Sequence, residues 1–240
     1  MTFRAFIEER AKHVSHESSS RLYSVTYPSL VAAGRKLREV TPKLDEDALS
    51  TIALGLVAWN ARHFPADVET TPSQTVFEAA EALIANAFGG KSSKLTKLLT
   101  LLIALDKAVP QEQDAVISGI RTAFLAARTV LGYPLEAQSL AVPSKLLHWL
   151  CPRLFPILDS KVAGIVMPFF LEAQSDERSS SKTRADEKVD LYCWFTASLW
   201  SLGLTTRDAP DSSNPLSAYW RFAHHHMTPI RAVEYTLFSI

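Results

Sequence analysis

The residues best suited to chemistry in this 240-residue chain fall in one stretch, 143–163, which reads PSKLLHWLCPRLFPILDSKVA. Asp159 stands after two prolines, Pro152 and Pro156, and directly before an apolar-periodic segment. A carboxylate at a helix N-terminus is held by backbone donors. Prolines on its N-terminal side restrict the backbone and so pre-position the group. A fixed carboxylate stabilises positive charge developing beside it and orients or deprotonates a water. The plainer alternative is that Asp159 only caps its helix. Lys145 becomes a nucleophile if desolvation lowers its pKa; otherwise it contacts a phosphate or solvent. Ser144 with Lys145, and Ser160 with Lys161, open consecutive helices and suit phosphate binding there.

Two further groups stand apart from that stretch. Residues 89–97, GGKSSKLTK, lead two glycines into a helix and cluster Lys91, Lys94 and Lys97. A phosphate-binding P-loop would need glycine at position 85, where Ala85 stands, which excludes a nucleoside-triphosphate site. A DNA-backbone contact or a solvated helix start remain. Near the C-terminus, Arg221 and His226 have the Arg-x4-His spacing of helical ribonucleases of the HEPN class, in which histidine is the base and arginine clamps the transition state. His224, His225 and His226 cannot converge on one metal, because consecutive helical positions point about 100° apart.

The elements that must position these residues are helices. Apolar residues recur at helical spacing over 45–63, 73–88, 92–108, 111–131, 143–151, 160–172, 187–202, 214–226 and 228–238. Pro72–Ser73 and Gly89–Gly90 bracket the second of these, and Gly132 ends the fourth. Convincing strands are absent, so the expected class is all-α. Residues 14–20 and 174–186 are polar and Ser-rich and read as loops.

Apolar residues make up 47% of the chain and charged residues 21%, a balance that excludes a mainly disordered polypeptide. Lys plus Arg equals Asp plus Glu at 25 each. Any contact with nucleic acid must therefore use a local basic face rather than the overall field. Two cysteines, Cys151 and Cys193, are too few thiolates for a structural zinc or an iron–sulfur cluster. The N-terminal MTFRAFIEERAKH mixes acids with bases and carries no secretory apolar run. No uncharged stretch is long enough to cross a membrane, so a cytoplasmic protein is expected.

The phrase Phe155-Pro156-Ile157-Leu158-Asp159, followed by a small residue and Val162, resembles the adenine-DNA glycosylase branch of the helix-hairpin-helix (HhH-GPD) superfamily. Those proteins set a catalytic aspartate in a similar Pro-x-(x)-Asp phrase just before a helix. The resemblance covers roughly 20 residues. It departs where relatives carry a glycine-rich hairpin turn and this chain reads Ser139-Leu140-Ala141-Val142-Pro143-Ser144, and the four cluster cysteines of some relatives are missing. The resemblance implies two helical lobes with the site between them: 1–40 with 190–240 as one, and 41–189 as the other, bearing the hairpin and Asp159. It implies excision of a damaged or modified base from double-stranded DNA by a monomer, without cofactor or metal. A bulky modified base of phage DNA, and hence a defence role beside repair, is one such target. Asp159 would stabilise the sugar cation, and Lys145 would attack the sugar in a strand-nicking variant. Such enzymes receive the everted base in an aromatic pocket, for which Tyr23, Tyr27, Trp59, Asn60, His63, His148 and Trp149 are candidates. Aromatics at helical spacing are otherwise core. The remaining alternative is a helical DNA-binding or interaction module without chemistry.

Overall fold

The computed structural model describes residues 1–14, 21–39, 44–59, 72–88, 93–108, 113–132, 139–175, 184–206, 208–222 and 227–238. Among these there are eleven helices and no strand. They are α1 (Phe3–Ala11), α2 (Arg21–Arg38), α3 (Glu46–Trp59), α4 (Pro72–Phe88), α5 (Lys94–Ala108), α6 (Gln113–Leu131), α7 (Ala141–Leu150), α8 (Ser160–Ala173), α9 (Arg184–Ser201), α10 (Ser217–Arg221) and α11 (Pro229–Phe238). The protein is an all-α bundle.

Local chemistry accounts for the helix ends. Asp45 Oδ1 accepts the Ala48 N–H at 2.7 Å ahead of the acidic first turn of α3, and Ser93 Oγ accepts the Thr96 N–H at 3.0 Å ahead of α5. Both satisfy an otherwise orphaned amide. Gly132 adopts φ +70° after α6, a left-handed stop that a side chain would resist. α5 then buries Leu95, Leu98, Leu99, Leu102 and Leu105, a three-and-four spacing that lines one face.

Two differences from the sequence expectation have physical causes. Of the segment 214–226, the described residues 214–222 contribute the short α10, which starts late because Asn214 Oδ1 takes the Leu216 N–H at 2.9 Å and holds a turn where a helix would begin. α1 and α2 are helices that periodicity does not single out. Pro28 sits inside α2, and α1 carries a narrow buried stripe of Phe3, Ile7 and Ala11.

α7 lies at the centre of the packing. It touches α2, α3 and α6; α6 also packs on α5 and α9; α8 packs on α9 and α11. α2 approaches so closely that a Cβ on Gly34 would lie 1.9 Å from the Trp149 carbonyl oxygen. Only glycine fits there. One continuous core runs from Phe3 to Leu237, and its largest fully buried side chains include Trp149, Tyr27, Tyr192 and Tyr219. Cys151 and Cys193 are buried free thiols within it. Burial pushes each thiol up to about 12, so both stay protonated and unreactive. No helix among the described residues is long and apolar enough to cross a membrane.

Candidate active-site cleft

The residues between α7 and α8 form an irregular segment, 151–159, whose backbone groups are claimed one after another by side chains from distant elements. Thr228 Oγ1 donates to the Pro152 carbonyl at 2.8 Å, and Trp200 Nε1 donates to that of Leu154. His148 Nδ1 lies 2.6 Å from the Phe155 carbonyl, and Tyr192 Oη donates to that of Pro156 at 3.2 Å. The Ile157 N–H donates to Glu234 Oε2 at 2.9 Å, and the Leu158 N–H to Ser144 Oγ at 3.0 Å. Buried loop backbone is tolerated only when its polar groups are paired. Here the pairing comes from α7, α9, the start of α11 and α11 itself.

Two buried polar groups complete this shell. His148 is fully buried, which pushes its pKa down to about 3; nearby Arg231 lowers it further, and the bond to the Phe155 carbonyl opposes both. The imidazole is therefore neutral at pH 7. Because a carbonyl can only accept, Nδ1 carries the proton, and Nε2 accepts from Tyr27 Oη at 2.8 Å. Glu234, 3% exposed, is ion-paired with Arg231 one helical turn away, which offsets the cost of burying either charge alone.

This segment delivers Asp159 to the N-cap of α8. Asp159 has extended backbone (φ −89°, ψ 180°), and its Oδ1 accepts the Val162 N–H at 2.9 Å. It is an N-cap. No hydrogen bond among the described residues reaches its second oxygen. The side chain is half-buried and lines a cleft of about 960 Å³. Lys145, Ser160, Lys161 and Trp59 line the same cleft. Lys145 Nζ donates to the Trp59 carbonyl at 3.4 Å and sits 5.8 Å from the Trp59 ring centroid. Lys161 Nζ lies 4.9 Å from the Phe238 ring centroid. Ser160 and Lys161 are exposed at the first turn of α8, where backbone donors and the helix dipole favour an anion.

Six sequence candidates take other places. Ser144 is 0% exposed; its hydroxyl donates to the Ala141 carbonyl at 3.0 Å and accepts from Leu158. It braces the Asp159 segment and cannot reach a phosphate. His148 and Trp149 are 0% exposed and Tyr27 is 2% exposed. They are core groups, with no surface to offer a base. Trp149 instead backs Trp59 edge-on, with ring centroids 5.5 Å apart and planes at 89°. Lys94 is exposed at the start of α5 and does not line the cleft. Arg221 is exposed at the end of α10. Asn60, His63, Lys91 and His226 lie outside the described residues, as does the side chain of Tyr23.

Sequence reasoning missed Lys188 of α9 and the apolar lip of the cleft. Lys188 joins Lys145 and Lys161 around Asp159, giving three cations to one carboxylate. The lip includes Leu171 and Phe238, at 42% and 47% two of the four large apolar side chains exposed among the described residues. Nothing in their local sequence distinguishes them from other surface positions. Glu234 did carry a signal, as an acid inside the apolar helix α11. Among the described residues no group of three or more His, Cys, Asp or Glu is placed to hold a metal ion. Comparisons with protein-family models, curated proteins and solved structures found no match.

Proposed function

We propose that this protein is a DNA glycosylase that everts a damaged or modified base and cleaves its N-glycosidic bond, with Asp159 as the catalytic carboxylate. The observation that carries this reading is the position of Asp159. One of its oxygens is spent on capping α8, while the side chain faces a cleft ringed by Lys145, Lys161 and Lys188 with Trp59 in its wall. Loss of a base leaves positive charge on the sugar, as in glycoside hydrolysis. A carboxylate fixed beside that carbon stabilises the charge without reorganising at the moment of reaction. Its second oxygen, which does not cap the helix, can hold the attacking water. The lysines suit the flanking phosphates, and the first-turn amides of α8 suit another. Trp59, rigid against Trp149, offers a face for stacking. No cofactor enters the reaction.

The phrase Phe155-Pro156-Ile157-Leu158-Asp159 and its resemblance to the helix-hairpin-helix glycosylases support the same chemistry. The substrate is double-stranded DNA carrying one everted nucleotide. The cleft volume, at the upper end of small-ligand sites, leaves space for a base enlarged by modification, such as those of phage DNA. The test is abasic-site formation on plain DNA, on DNA with damaged bases and on DNA with bulky modified bases. Wild type is expected to release one of the altered bases and Asp159→Asn to release none. Equal release by both proteins, or none by wild type from any of these DNAs, rejects the proposal.

A further inference from the structure

A second cavity, of about 730 Å³, opens where the C-terminal ends of α2 and α5 meet the turn that carries Arg153. It lies beyond the C-terminal end of α7, whereas the Asp159 cleft takes in Ser139 and Ala141 at the N-terminal end of that helix. Apart from Ile103, the described residues that line the second cavity are charged or polar in type.

The cations in its wall are not equally satisfied. Arg153 is fully engaged: Nε and Nη2 donate to Asp106 Oδ1, Nη2 also to the Asp106 carbonyl, and Nη1 to the Thr205 carbonyl. Arg38 shares Asp106 but only loosely, with Nη1 3.4 Å from Oδ2 and 3.8 Å from Cys151 Sγ. Its Nε is buried and has no partner. Distances of that kind lie outside the range of a strong guanidinium–carboxylate bond. Arg35 and Lys107 are exposed and form no ion pair or hydrogen bond among the described residues. Glu39 and Asp208 also line the cavity, yet neither pairs with these cations. A cation near a helix C-terminus is favoured by the exposed carbonyls there, which accounts for one such residue on each helix. It does not account for three cations with donors to spare around one open volume.

We propose that this cavity binds a small, multiply charged anion of the phosphate-ester or polyphosphate class, held by Arg35, Arg38 and Lys107. Guanidinium forks match phosphate oxygens in geometry, and an ammonium adds a point charge. No aromatic side chain is among the described residues that line it, so charge and hydrogen bonding carry recognition. The engaged Arg153–Asp106 pair forms a fixed wall behind the ligand. This site does not depend on what Asp159 does.

The experiment measures thermal unfolding of the full chain in inorganic pyrophosphate against potassium chloride of equal ionic strength. The saturated wild type is expected to gain about 5 °C or more. The Arg35→Ala/Lys107→Ala double variant should melt with the wild type in chloride, since both side chains are exposed and form no ion pair among the described residues, and should lose the pyrophosphate gain. A wild-type midpoint equal in the two salts, or an undiminished gain in the double variant, overturns the site. A second arm identifies the source of the phosphate. If the salt dependence of DNA binding weakens by about two phosphates in the double variant, the anion is a DNA backbone phosphate. If DNA binding is unchanged while the pyrophosphate gain is lost, the anion is a free phosphate compound. Either result upholds the site, and neither involves base release.

Discussion

At the scale of single residues, polar side chains in this protein divide by whether their groups face the cleft or the Asp159 segment. Ser144 makes the division testable. Ser144→Ala removes the acceptor of a buried N–H and should cost about 1–3 kcal/mol in urea unfolding. It should leave the salt dependence of DNA binding unchanged, whereas loss of a phosphate contact would reduce that slope by about one. Asp159 was legible in the sequence because capping chemistry and two upstream prolines are local signals. Ser144, His148 and Tyr27 were not. Their types suit a binding site, and only the fold shows that Ser144 and His148 are turned inward on the Leu158 amide and the Phe155 carbonyl, and Tyr27 on the His148 ring. The partners lie as far apart in sequence as Ile157 and Glu234, separated by 77 positions, and no local pattern records such a pairing.

At the scale of elements, α7 acts as the fixed axis from which the cleft is built. It supplies Lys145 to the cleft, Ser144 and His148 to the segment behind Asp159, and the carbonyl at Trp149 against which α2 rests. The contact at Gly34 leaves no space for a methyl group, and helix backbones in contact cannot yield as a flexible side chain would. Gly34→Ala should therefore destabilise the protein by about 3 kcal/mol, the upper end of overpacking costs, despite the higher helix propensity of alanine. A urea midpoint equal to or above that of wild type would show that α2 and α7 are not held in this register. Most helices could be read from apolar spacing and end signals. Those that could not, α1 and α2, bury narrow stripes or hold a proline, and tertiary contact rather than local preference keeps them helical.

At the scale of the whole molecule, stability and binding both follow from where charge is placed. His148 has a folded pKa of about 3 against an ordinary value of 6.5. Between these values the unfolded chain takes up the proton and the folded one does not. Stability from this group is thus complete above pH 6.5 and is lost as pH falls toward 3, at up to about 1.4 kcal/mol per pH unit. The urea midpoint should drop between pH 7 and pH 4.5, and His148→Gln should show a shallower drop; parallel curves would remove the buried histidine as the cause. On the proposed function, a net charge of zero leaves DNA affinity to local basic groups, the cleft lysines among them. The slope of log affinity against log salt should be about −3, one unit for each of Lys145, Lys161 and Lys188. A slope near zero would place the DNA elsewhere. The most direct measurement is single-turnover base release by wild type and Asp159→Asn on the same DNA, with affinity for that DNA measured in parallel. Asparagine still caps a helix, so the variant should fold and bind as wild type does while release slows about 10²–10³-fold. Equal release rates at equal affinity would contradict the assignment of Asp159 as the catalytic carboxylate.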